Sequence, residues 1–201
     1  MASLFSDILI KGIKSGQVPA RSIAAREWFR NKAKDAGKVS ETVVLKNDRA
    51  RLKNRTAAGK MYFFMYDAKH KKTLPYYDAF PLIFPIERTS DGFFGINMHY
   101  LPLPLRAKLM DALYDVTNNE KYDDTTKLQL SYSILKSTEK FQLFRPTFKR
   151  YLNSQVRSRF VEVHSTEWDI ALFLNTEQFI GASKTKVWAD SRQSMKKKGK
   201  R

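Results

Sequence analysis

At 201 residues, with 42% hydrophobic and 13% aromatic side chains, the chain can bury a core of its own, which argues against wholesale disorder. It has no cysteine, which removes disulfide frameworks and thiolate metal sites, and no apolar run approaches the roughly 20 residues of a membrane span. The net charge of +17 sits at the ends: residues 1–60 carry 14 Lys/Arg against 5 Asp/Glu, residues 61–181 carry 15 against 14, and residues 182–201 carry 8 against 1.

In chain order, "LFSDILIKGIK" predicts a short helix within 3–15, capped by Ser3 and stopped at Gly16. Polar residues interrupt it, and no basic leader with a small-residue cleavage site precedes it, so a soluble protein made in the cytoplasm is expected. Residues 21–36 predict a second helix, with Ile23, Trp28 and Phe29 on its inner face, Arg26, Arg30, Lys32 and Lys34 mostly elsewhere, and Gly37 as its stop. Ser40 starts a third, weakly periodic helix. "NDRARLKNRTAAGK" reads as an exposed basic loop or loosely held helix.

The period then changes from helical to alternating. "KMYFFMYD" (60–67), "FPLIFPIER" (80–88) and "GFFGINMHYL" (92–101) predict strands, the last two forming a hairpin around "TSDG". Two prolines four apart require the second strand to lie at an edge or carry a bulge. An edge strand is the simpler expectation. Leucine stripes predict helices over 104–117 and 125–137, and "TFKRYLNSQ" reads as a short helix. "SRFVEV" reads as a late strand at 157–163. After Gly181 the pattern decays into a mobile basic tail that Trp188 can anchor.

This order predicts an α+β fold: a small, strongly bent antiparallel sheet, with an SH3-like barrel as one candidate, surrounded by helices. The expected organisation is a basic helical region (1–60), an α+β body (61–181) and a basic tail (182–201). The expected core is Tyr62, Phe64, Leu82, Phe84, Phe94, Ile96, Leu109, Leu113, Phe160 and Trp168.

Catalytic patterns are weak. His70, His99 and His164 lack the spacing of a zinc site, and no nucleophile elbow, Walker loop or dinucleotide fingerprint occurs. Asp67 and Lys69 with Asp78 and Glu87 form the loose carboxylate–lysine set that a metal-dependent nuclease would need. Turn and surface roles suit them better. Asp111 and Asp115, four apart on one helix face, read as solvated rather than as an acid–base pair. No enzyme activity, metal or cofactor is expected.

The basic ends point instead to a polyanion. Lysines and arginines near phosphate displace condensed counterions, giving salt-sensitive binding without sequence preference. The expected contacts to double-stranded DNA are Arg26, Arg30, Lys32, Arg49, Arg51, Lys53 and Arg55 in one set, and Lys196, Lys197, Lys198, Lys200 and Arg201 in the other. Aromatics among these charges, in "EWFRNK" and "KVWADSR", would permit base stacking, although hydrophobic anchoring is the commoner role for residues such as Trp28, Phe29 and Trp188.

The run "MYFFMYDAKHKKTLPYYDAFPLIFPIERTSDGFFGINMHYLPLPLRAKLMDALYD" (61–115), with "RFVEVHSTEWDIALFL" (159–174), resembles small virion proteins of T-even-like contractile-tailed phages. Within that group it is most similar to the DNA end protector and head-completion proteins. The resemblance implies a place in the virion near the portal and neck after assembly in the host cytoplasm. It also implies contact with the packaged DNA terminus, an oligomeric state set by the particle, and no turnover chemistry. It supplies no site residues. The competing expectation is a neck, tail or baseplate protein whose basic ends meet acidic protein surfaces; a more distant one is a nuclease acting at DNA ends.

Overall fold

In the computed structural model, residues 4–19, 22–46 and 49–196 are described. The first helix, α1 (Leu4–Lys14), buries Phe5 and Ile8; the proposed cap Ser3 lies outside the described residues. In α2 (Ile23–Asp35), Ser22 caps by accepting a 3.0 Å hydrogen bond from the Ala25 amide. The following turn contains Gly37 at φ +68°, the left-handed conformation that glycine adopts without a Cβ clash. The inner face of α2 differs from the sequence expectation. Ala25, Phe29 and Ala33 are buried together with Arg26 and Arg30, whereas Ile23 is exposed. The short helix α3 (Glu41–Leu45) follows Ser40, as expected.

A 3-10 turn at Arg49–Arg51 leads into β1 (Leu52–Lys53), followed by β2 (Met61–Phe63), β3 (Tyr77–Asp78), β4 (Leu82–Arg88) and β5 (Gly92–Asn97). Then come α4 (Leu103–Thr117) and α5 (Asp124–Ser137), the second capped by Asp123. The chain continues through β6 (Phe148–Leu152), β7 (Phe160–Val163), α6 (Trp168–Phe173), β8 (Phe179–Ile180) and α7 (Lys184–Lys196). The fold is therefore α+β. One antiparallel sheet has the order β1-β7-β2-β4-β5-β6, and β3 pairs with β8 in a second, smaller sheet. This order does not by itself define an SH3-like barrel. No helix among the described residues is long and apolar enough to cross a membrane.

Three local expectations are corrected. The proline-containing β4 is not an edge strand, because it lies between β2 and β5. Its ladder to β2 stops at Ile83, so the missing amide of Pro85 falls beyond that pairing. On the β5 side the register shifts between Pro85 and Glu87, a bulge that leaves Ile86 over. The segment 148–152, expected to be helical, is the strand β6, held by five registered pairs to β5. The expected irregular tail is helical through Lys196. It is anchored by buried Val187 and by the Trp188 indole, which donates to the His99 carbonyl at 2.8 Å.

The alternation of the strands fills both faces of the large sheet. Phe63, Leu82, Phe84, Ile96 and Val161 face a main core shared with Phe5, Phe29, Leu109, Leu113 and Trp168. Tyr62, Phe64, Ile83, Phe93, Tyr151 and Phe160 form a second cluster. In the strand order, β7 and β5 are separated by β2 and β4, so three spacings of about 4.8 Å would hold them about 14 Å apart in a flat sheet. The rings of Phe160 and Phe93 nevertheless lie 5.9 Å apart, so the sheet curls strongly around this cluster.

Phe94 is the one proposed core residue that the fold leaves out. It has the same parity as Ile96 but pairs with exposed Glu87 beyond the bulge and is 39% exposed. Phe94→Ala should therefore cost about 1 kcal/mol or less in urea denaturation, whereas the fully buried Phe84 retains the cost of about 3–5 kcal/mol expected for a core phenylalanine. Equal losses for the two variants would contradict this placement.

Candidate nucleic-acid interface

The basic residues singled out in the amino-terminal region divide into two kinds. Arg26 and Arg30, on the inner face of α2, straddle two carboxylates. Arg26 pairs with Asp111 and lies 3.4 Å from Asp169, and Arg30 reaches Asp169 at 2.7 Å and Asp111 at 3.0 Å. Asp111 is thus an ion-pair partner that clamps α4 to α2. Arg51 forms a two-pronged pair with the buried Glu167, one arm at 2.8 Å, which fixes the 3-10 turn against the start of α6. These three guanidiniums already have anions.

The others face solvent. Lys32 is exposed, 3.6 Å from Asp35. Lys53 is exposed on β1 and donates to the Ala50 carbonyl at 2.9 Å. Arg55 is exposed in the loop after β1. For Arg49 only the backbone is described, at the start of its 3-10 turn. Lys196 ends α7, its side chain undescribed, and Lys197, Lys198, Lys200 and Arg201 lie outside the described residues.

Arg55 does not stand alone. It lines a groove of about 510 Å³ together with Arg88, at the end of β4, and Arg159, just before β7. Arg88 donates to the Thr56 carbonyl and Arg159 to the Leu52 carbonyl, each at 2.6 Å, which fixes one arm of each guanidinium and leaves the rest of the fork for a ligand. Among the described residues, none of the three arginines is paired with a carboxylate. The loop that carries Arg55 is held by the Ala57 amide donating to the Tyr62 hydroxyl at 3.1 Å. Burial pushes that phenol up to about 12, so it stays neutral beside the arginines. Phe93 and Phe160 give the groove apolar walls, and Gly92 lets the strands close at its edge, since a Cβ there would lie 1.9 Å from the Tyr151 carbonyl oxygen. A polar groove with three unneutralised guanidiniums is suited to phosphate.

The chain matches the family described as phage T4 terminal DNA protecting protein over residues 7–197. It belongs to that family. No curated protein and no solved structure gives a significant match.

In this member of the terminal DNA protecting family, the residues weighed for metal or acid–base chemistry are dispersed. Asp67 binds Lys71, Glu87 reaches Lys136, and Asp78 is buried against His99. Among the described residues, no group of three acidic or histidine side chains gathers where it could hold a metal ion. The Asp78–His99–Thr176 line, with contacts of 2.8 and 3.1 Å, has the order of a proton relay, but all three residues are buried and the Asn97 amide also donates to Asp78. It braces the fold.

Sequence reasoning named Arg55 and missed Arg88 and Arg159. Both lie in the stretch whose charges balance, and only the curl of the sheet brings them to the loop after β1. The one local signal is position: each ends or precedes a strand whose residues are mostly core, so each has to leave the sheet at its rim.

Proposed function

We propose that this protein binds the end of double-stranded DNA in a phage particle without sequence preference, shielding the terminus. Family membership supports the end-protecting role. The observation that carries the mode of binding is the groove, where Arg55, Arg88 and Arg159 converge and, among the described residues, no carboxylate pairs with them. Phosphate contacts position DNA without reading its sequence, as a protector of arbitrary ends requires. Lys32, Arg49, Lys53 and the carboxy-terminal Lys196, Lys197, Lys198, Lys200 and Arg201 add to the electrostatic footprint. Arg26, Arg30 and Arg51 serve the fold. A place at the head and neck, reached late in assembly and set by contacts with portal or neck proteins, completes the reading.

Salt dependence tests it. If about six phosphates are neutralised, affinity for a short duplex should fall roughly a thousandfold between 50 and 200 mM salt. The tail is tested by removing residues 197–201 only. A cut at 190 would remove buried Ser191 and the Lys186–Asp190 pair, whereas a cut after Lys196 spares all of α7. Fluorescence anisotropy should show a flatter salt slope for the shortened chain and an unchanged melting temperature. An identical slope would remove the tail from the mechanism. Failure of the full chain to bind DNA at low salt would favour the neck, tail or baseplate alternative, in which acidic protein surfaces take the place of phosphate.

A further inference from the structure

A second cavity, of about 320 Å³, has a different chemistry. Tyr66, Tyr76, Tyr77, Tyr100 and Tyr151 line it, with Lys149 of β6 among them. The rings are fixed from outside. The Tyr66 hydroxyl accepts from the Leu152 amide at 3.3 Å, the Tyr151 hydroxyl accepts from Asn97 at 3.0 Å, and the Tyr77 hydroxyl donates to Asp67 at 3.3 Å. Tyr76 and Tyr100 both pack against Phe179, at 6.4 and 5.1 Å between centroids. The Lys149 ammonium lies 3.9 Å from the Tyr100 ring centroid and, among the described residues, makes no hydrogen bond or close ion pair; the carboxylate that acts on it is Asp78, across the same cavity, which is itself held by His99 and Asn97.

We infer that this cavity receives the terminal nucleotide of a DNA strand, its base against the half-buried Tyr66, Tyr76 and Tyr77 and its phosphate at Lys149. The inference rests on the DNA-end reading above. A cavity of this size is at the small end of ligand sites and suits one nucleotide rather than a longer segment. Stacking on aromatic faces is indifferent to base identity, as an end of arbitrary sequence demands. The position is also right. Tyr66 and Tyr151 belong to the aromatic cluster whose Phe93 and Phe160 wall the arginine groove, and the rings of Tyr151 and Phe93 stack at 5.4 Å. On this proposal a duplex held in the groove extends past that shared aromatic wall, and its last base pair opens to fill the cavity.

Protonation of Lys149 adds a pH signature. Burial brings its pKa down to about 8, so the cation that meets the phosphate is lost as pH rises through that value. The other titratable or charged groups lining the cavity are Lys69, His70, Asp78, Arg150 and the five tyrosines. Burial holds the tyrosines above their ordinary value, so they stay neutral through this range, and Arg150 is paired with Asp91 at 2.8 Å.

The test compares two blunt duplexes identical apart from their final base pair, binding the full chain at pH 7: one with a mismatched, open final pair and one capped at both ends by a paired G·C. The open end should bind about tenfold more tightly, within the roughly 5- to 150-fold that stacking of one base contributes. Raising the pH to 9 should shrink this preference. Lys149→Gln, which keeps most of the stem, should reduce the preference and make it independent of pH in this range. Tyr76→Ala should reduce it without changing binding to the capped duplex. Equal affinity of the wild-type chain for the two duplexes, or a preference that survives in both variants, would overturn the inference and leave the groove reading intact. No binding to either duplex would overturn both.

Discussion

Replacing Arg55, Arg88 and Arg159 together by glutamine should weaken binding to duplex DNA roughly 500-fold at 100 mM salt and flatten the salt slope by about 2.7 units. Each phosphate contact contributes about 0.9 to that slope, and the three guanidiniums share one groove. The fold should survive. Among the described residues none of the three leaves a carboxylate behind, and the two backbone hydrogen bonds surrendered, to Thr56 and Leu52, are worth about 1 kcal/mol each. Anisotropy titrations at several salt concentrations, with a melting curve for each variant, check both halves. A slope equal to that of the wild-type chain would move the DNA elsewhere on the surface.

The opposite result is expected four residues upstream. Arg51→Ala should destabilise the protein by about 3–5 kcal/mol, because Glu167 would be left buried without its cation at the entrance to α6, where every residue is buried. The effect on DNA binding, measured well below the melting temperature, should be small. Changing both partners to apolar residues, Arg51→Met with Glu167→Leu, should recover much of the loss, since the pair is costly to break and nearly neutral to replace. Arg55→Ala should do the reverse, melting like the wild-type chain while binding DNA less tightly. If Arg51→Ala melts normally, the ion pair is not what fixes the 3-10 turn to α6.

Periodicity made most of the elements legible. The helices at 4–14, 23–35, 103–117 and 124–137 and the strands at 82–88, 92–97 and 160–163 lie close to where hydrophobic spacing puts them. Local signals failed where tertiary pairing decided the outcome. Pro146 before "TFKRYL" looks like a helix start, yet the five pairs with β5 make the segment a strand. Pro85 looks like an edge marker, yet the end of the β2 ladder and a bulge admit it to the middle of the sheet.

The candidate site was half legible for the same reason. Charge balance found the basic ends, but it cannot say which arginine meets a carboxylate. Arg26 and Arg30 find Asp111 and Asp169 at least 81 residues away. Arg88 and Arg159, hidden in the neutral stretch, reach the groove only because the sheet curls. The tyrosine cavity was equally invisible, since its walls come from β6 and from residues on both sides of β3.

The most direct measurement is the rate at which a processive exonuclease degrades a linear duplex at 50 mM salt with and without the protein. The full chain should slow digestion from the ends in proportion to its occupancy. The Arg55, Arg88 and Arg159 triple glutamine variant should protect far less at the same concentration. Digestion at the unprotected rate when the wild-type chain is bound to the DNA would contradict the account.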